Sequence, residues 1–275
     1  MVKATYILYI FVFILHPTVL LGHGDLHERI EVASEAIQIA PDSAELYLER
    51  GILFFQHEKY NESIHDLNYC AALNYNSQKL DLAFAKANLK LNNAQTALFF
   101  LDKILKEDPN HVITLRWKAK ALMQLDQYTE AAYYFEKVIE KADKTFTENY
   151  MEAAFAWEYS KHERNIENSI AIIEKGIVDL GDLILFYDRL VDLNQLSGNI
   201  DNAIINQNKI IELSNRKERP YYQRALIYLS NGNIAAARAD LTKSKEEIDK
   251  LPERIKKNNA TQVLIKNIRE KELLL

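Results

Sequence analysis

His23 and His27 lie four residues apart with Asp25 between them, a set that offers two imidazoles and a carboxylate to a transition metal. Removal of an amino-terminal leader that includes His23 would break the set, so no metal site is expected there. His57, His65, His111 and His162 are spread singly along the chain, and a metal-dependent activity built on them is the least favoured alternative. Nucleophilic, phosphate-transfer and zinc chemistry each need a local pattern that is missing. There is no Gly-rich phosphate loop, no zinc-spaced cysteine pair, no HExxH helix and no Gly-x-Ser-x-Gly elbow. No catalytic residue, no cofactor and no enzymatic activity are therefore expected.

Asn61 and Asn259 head the triplets Asn-Glu-Ser and Asn-Ala-Thr, formal acceptors for N-glycosylation. Asn61 falls at the start of a predicted helix and is read as its cap. Cys70 is the sole cysteine, which rules out an internal disulfide, and it reads as a small buried apolar residue rather than a reactive thiol.

The elements that must position any functional side chain recur with one period. Ser63, Ala97 and Ala131 lie 34 residues apart, as do Ser169, Ala203 and Ala237. Each is followed four positions later by a second core position, as with Ala131 and Phe135 or Ala237 and Leu241, so both fall on one face of a helix. The small residue lets two helices approach closely and the large one fills the space beside it. Gly198 and Gly232 precede Asn-Ile, where a turn must end one helix and a short polar residue can cap the next. From Ala131 to Ser169 the distance is 38, and the extra residues are placed in the polar stretch Ser160 to Asn165.

Tyr47, Gly51, Ser63 and Leu67 in the first full block, and Tyr128, Ala131 and Phe135 in the third, give the unit its character. It resembles the tetratricopeptide repeat, a helix-turn-helix that buries its apolar face by stacking on its neighbours. The resemblance covers nearly all of the chain after residue 24 and implies an all-α, right-handed α-solenoid across residues 25–252. A half-repeat is expected at 26–43, with full repeats at 44–77, 78–111, 112–145, 146–183, 184–217 and 218–251. Pro252 halts the last of these, and 253–275 is expected to form a closing cap helix.

In the family, the first helix of each repeat lines a concave groove that holds the ligand. Transferring that geometry places Lys79, Lys86, Arg116 and Lys120 on one half of the groove, with Lys90 and Trp117 close by. Glu148, Phe155 and Glu158 follow, near Glu152 and Tyr159, and then Asp188 and Asp192. A stripe basic at one end and acidic at the other would orient an extended or helical peptide. The chosen partner-binding residues are Lys86, Arg116, Lys120, Phe155, Glu158, Tyr159, Asp188 and Asp192. Leu48 and Ile52 stand where a clamp for chaperone tails would need polar residues, so that activity is not expected. At repeat spacing Tyr47, Tyr187, Tyr221 and Tyr228 are read as packing residues.

Residues 1–24 open with Lys3, continue through an apolar run and end in Gly22 and Gly24, the pattern of a signal peptide. A retained signal anchor is the alternative, and only then would a membrane be a partner. The protein is thus expected to be exported and to be periplasmic, cell-surface or secreted. A formal net charge of −5 argues against nucleic acid as the main partner. The expected function is a non-catalytic scaffold for a protein or peptide, with structural self-association through the apolar carboxyl terminus as the alternative.

Overall fold

The computed structural model describes residues 26–275, so the expected leader and the His23–Asp25 part of the possible metal set lie outside it. The described residues form fifteen helices and no strand, the all-α class anticipated above. They fall into two compact units, one ending at Asn76 and the other running Ser77–Leu275.

The first unit holds α1 (Leu26–Ile39), α2 (Ala44–Gln56) and α3 (Tyr60–Ala72). Helix α1 buries Ile30, Ala33 and Ile37, at helical spacing, and Ile30 and Ala33 pack with Leu53 of α2. Helices α2 and α3 meet closely because Gly51 has no side chain: a Cβ there would stand 3.1 Å from Leu67 Cδ2. Cys70 is fully buried in α3, and burial pushes its thiol up. Asn61 does not cap α3. The cap position is Lys59, with no side-chain bond, and Asn61 lies exposed in the first turn.

The second unit is a succession of hairpins: α4 (Gln78–Lys90) with α5 (Ala94–Glu107), α6 (Val112–Gln124) with α7 (Tyr128–Lys141), and α8 (Thr147–Glu158) with α9 (Asn165–Leu180). Then come α10 (Ile184–Leu196) with α11 (Ile200–Leu213) and α12 (Glu218–Ser230) with α13 (Ile234–Asp249). The second helix of each hairpin also packs on the first helix of the next. After Pro252 the chain forms two helices, α14 (Glu253–Lys256) and α15 (Asn259–Glu272), of which α15 lies on α13.

The small and large positions work as a pair. Ala97 with Leu101, Ala131 with Phe135 and Ala237 with Leu241 are all without exposed surface. Burying a side chain such as Phe135 contributes about 1.5–3 kcal/mol. At Ala203 the fourth residue on is Gln207, a polar group in a core slot. It is tolerated because its Nε2 donates to the Pro220 carbonyl at 3.0 Å.

The tight turns share one backbone device. Glu58, Asn92 and Asp126, 34 residues apart, and Gly198 and Gly232, also 34 apart, all have positive φ between 58° and 75°. Each reverses the chain within three residues. Ser160 stands one period after Asp126, yet no residue of 159–164 has positive φ. There the chain takes six residues instead, and Asn165 Nδ2 secures the loop by donating to the Glu158 carbonyl at 2.8 Å.

Candidate functional site

The first helices of successive hairpins, α4, α6, α8 and α10, carry the residues picked out for the groove except Tyr159, which caps the carboxyl end of α8, and all lie within the second unit. Arg116 and Lys120 are four apart on α6 and so share a face, with Trp117 beside them. Lys86 Nζ on α4 lies 5.5 Å from the centre of the Trp117 ring and Lys120 Nζ lies 5.8 Å from it. One indole thus serves two ammonium groups. Burial pushes Lys86 below the ordinary lysine range.

Glu152 of α8 changes the expected charge pattern. Its Oε1 stands 2.7 Å from Lys120 Nζ, and its Oε2 lies 3.9 Å from Arg116 Nε. The basic residues therefore do not stand as one free end of a polarised stripe, because Glu152 answers two of the three. It reaches them because it sits one turn before Phe155, on the side of α8 facing α6.

Arg189 is the residue that sequence reasoning passed over. It follows Asp188 on α10 and forms an ion pair with Glu158 of α8. Taking every position of α10 next to an expected acid, rather than only the transferred ones, would have found it. With Glu158 occupied, Asp188 and Asp192 remain as the open acidic side of the site. Both are exposed residues. Burial, then repulsion from Asp192, raises Asp188 above the ordinary aspartate value. Burial also raises Asp192, with Arg189 pulling it down and Glu158 pushing it up.

Between the charged ends lie aromatic rings. Phe155 and Tyr159 pack with centroids 4.5 Å apart, and Tyr128 joins Tyr159 at 5.8 Å. Phe155 keeps 40% of its surface exposed and Tyr159 53%, so neither is a core residue. Rings held by one another and open to water suit an apolar contact with another molecule. Lys79, Lys90 and Glu148 are exposed on the same set of helices.

The arrangement can hold a charged and apolar surface in place; it presents no nucleophile beside a base. Among the described residues no three His, Cys, Asp or Glu side chains gather as a metal site requires, and no helix is long and apolar enough to cross a membrane. His57 and His111 close or open helices, and His162 lies in the long turn.

Residues 114–145 and 218–247 each match a profile of the tetratricopeptide repeat. A crystallised tetratricopeptide repeat protein from Parabacteroides merdae superposes with a TM-score of 0.55 at 19% identity, covering 90% of this chain and 93% of its own. The C-terminal part of a repeat-containing protein from Cytophaga hutchinsonii superposes with a TM-score of 0.66 at 16% identity, covering 82% of this chain and 95% of that one. Identities this low speak to the fold alone. No curated protein matches the sequence.

Proposed function

Because the chain is a tetratricopeptide repeat protein, we propose that it is a non-catalytic scaffold that holds a protein or peptide along its first-helix face, in the cell envelope or outside the cell. The observation that carries this reading is the exposed pair Phe155 and Tyr159, set between Lys86, Arg116 and Lys120 on one side and Asp188 and Asp192 on the other. Apolar burial on the rings supplies affinity, and the flanking charges select the partner. Export rests on the leader-like residues 1–24.

The test is cross-linked capture from the native envelope with three chains: the native one, Phe155→Ala with Tyr159→Ala, and Tyr133→Ala, which removes an exposed ring from α7. Loss of the captured partner with the first variant alone supports the groove. Equal loss with both, or retention with both, moves the binding surface elsewhere. Amino-terminal sequencing of the fractionated protein tests the leader: an intact Met1 in the soluble cytosolic fraction would sink export.

Self-association has one observation of its own, since Leu273 and Leu274 stand 86% and 77% exposed at the carboxyl end. Sedimentation equilibrium decides it. A mass that rises with concentration, and falls back when both leucines become Ser, would support that reading.

A further inference from the structure

Arg29, Val32 and Ala36 of α1 stand one period of 34 residues before Ser63, Asp66 and Cys70 of α3. In α3 that stripe is closed by the first helix of its own hairpin. Arg50 of α2 grips Asp66, and all three residues keep at most 1% of their surface. In α1 the same stripe is open: Val32 keeps 60% of its surface, Arg29 is exposed and Ala36 is half-buried, with Ile39 at 86% one turn further on. The other side of α1, with Ile30, Ala33 and Ile37, is buried. Among the described residues α1 is thus a second helix without its first.

Helix α15 has the reverse deficit. It lies on α13 as α6, α8, α10 and α12 each lie on the second helix before them. Leu264 and Ile268 are buried there, and Lys245 of α13 pairs with Glu272 at 2.9 Å. Its far side carries Val263, Lys266 and Leu273 at helical spacing, with Val263 keeping 47% of its surface and Leu273 86%. Among the described residues no second helix closes that side. The two open helices match in length, at 14 residues each, and in charge. Exposed Glu28, Glu31 and Glu35 border the stripe on α1, whereas Lys266 and Arg269 are exposed on α15. Arg29 finds its counterpart in Glu270, which Lys266 holds only loosely at 3.8 Å.

We propose that these two helices complete one hairpin between copies: α15 of one chain takes the first-helix place against α1 of a second, and the protein self-associates head to tail. The proposal rests on the self-association reading above and names the surface that receives the carboxyl end. Arg29 fills the place held by Ser63, Ala97 and Ala131, so the two helices cannot approach as closely as those within a hairpin, and the contact is reversible. Because the contact is heterologous, each pair leaves one α1 and one α15 open, and growth continues past the dimer.

The experiment is sedimentation equilibrium of the chain, expressed with its leader, beside Val32→Asp and Val263→Asp. Both positions are exposed, and circular dichroism checks that the variants fold. The native mass is expected to rise with concentration beyond that of a dimer. Each variant alone sets a carboxylate into the apolar contact and is expected to associate at least about tenfold more weakly. The deciding sample is their equimolar mixture. Val32→Asp keeps a sound α15 and Val263→Asp a sound α1, so the mixture is expected to form a one-to-one dimer and to grow no further. A native chain that stays monomeric near millimolar concentration would end self-association of any kind, leaving α1 to residues 1–24 or to another protein. If the native chain associates but Val32→Asp does so equally well, or if the mixture stays monomeric, self-association stands and this surface is overturned.

Discussion

Arg224 grips Asp240, sixteen residues later, through two nitrogens, with Nε at 2.6 Å and Nη2 at 2.8 Å from the two carboxylate oxygens. Arg50 grips Asp66 with the same spacing and fork, at 2.7 and 2.9 Å. In each case Nη1 reaches back sixteen residues to the helix before, to Asn208 from Arg224 and to Ser34 from Arg50. One guanidinium thereby ties three helices, a geometry that a lysine ammonium cannot copy.

Removing that tie is expected to cost far more than a surface ion pair. Asp240 keeps 3% of its side-chain surface and Arg224 14%, so Arg224→Ala leaves a buried carboxylate with only the long ion pair to Lys243 Nζ, 3.8 Å away. A loss of about 3–5 kcal/mol is expected in urea denaturation. Replacing both members, Arg224→Met with Asp240→Leu, should recover most of it. A single variant within about 0.5 kcal/mol of the native chain would show that the pair is a solvated one.

These forks also show what can be read without coordinates. The period, the small and large core positions and the all-helical class are visible because burial repeats with the helix turns, as at Ala131 and Phe135. The Arg50 and Asp66 pair repeats as Arg224 and Asp240, but its spacing of sixteen crosses a turn, so no periodicity of one helix reveals it. The same limit explains the groove. Lys86, Arg116, Lys120, Phe155, Glu158, Tyr159, Asp188 and Asp192 are placed by transferring the groove positions of the resembled family onto the repeats, and all but Tyr159, the C-cap of α8, fall on first helices. That Glu152 answers Arg116 and Lys120, and that Arg189 answers Glu158, depends on which neighbouring helices face each other.

Two glycines in helices should respond differently to alanine. A Cβ at Gly176 in α9 would stand 2.8 Å from Phe186 Cζ and 3.0 Å from Tyr150 Cγ, both fully buried rings. At Gly51 the nearest atom is 3.1 Å away at the end of Leu67, a buried but flexible side chain that has only to yield by a few tenths of an ångström, roughly. Alanine gains about 1 kcal/mol of helix propensity at either site. Gly51→Ala is therefore expected to be neutral to about 1 kcal/mol more stable than native, whereas overpacking of about 1–3 kcal/mol should cancel or outweigh that gain at Gly176→Ala and leave it up to about 2 kcal/mol less stable. Thermal melts of the two variants, side by side, decide it; equal midpoints would mean that the rings yield.

Asn149 lies in α8 with 1% of its surface exposed, and neither its Oδ1 nor its Nδ2 has a hydrogen-bond partner. An amide so placed has lost water and gained nothing. Asn149→Leu, branched at the same carbon but bulkier, is expected to stabilise the fold by up to about 1–3 kcal/mol in the same denaturation assay, reduced by the cost of packing its extra volume. Destabilisation instead would show that the amide is solvated inside the stack.

Asp188 and Asp192 give the fold a pH dependence of unusual sign. Burial raises both above the ordinary aspartate value of 3.8, and their proximity adds to the rise at Asp188. Below 3.8 both carboxyls are protonated in the folded and unfolded states alike, and they cause no loss. As pH climbs through the raised folded values, the unfolded chain has already given up its protons while the native chain holds them reluctantly. Stability from this pair is thus fully present at low pH and falls as pH rises past the folded values. Asp188→Asn should raise the thermal midpoint relative to the native chain at pH 7 and leave the difference near zero at pH 3. An Asp188→Asn variant that instead melts below the native chain at pH 7, with the deficit closing on acidification, would mean that Asp188 is held by a positive partner and that the acidic side of the groove is not open.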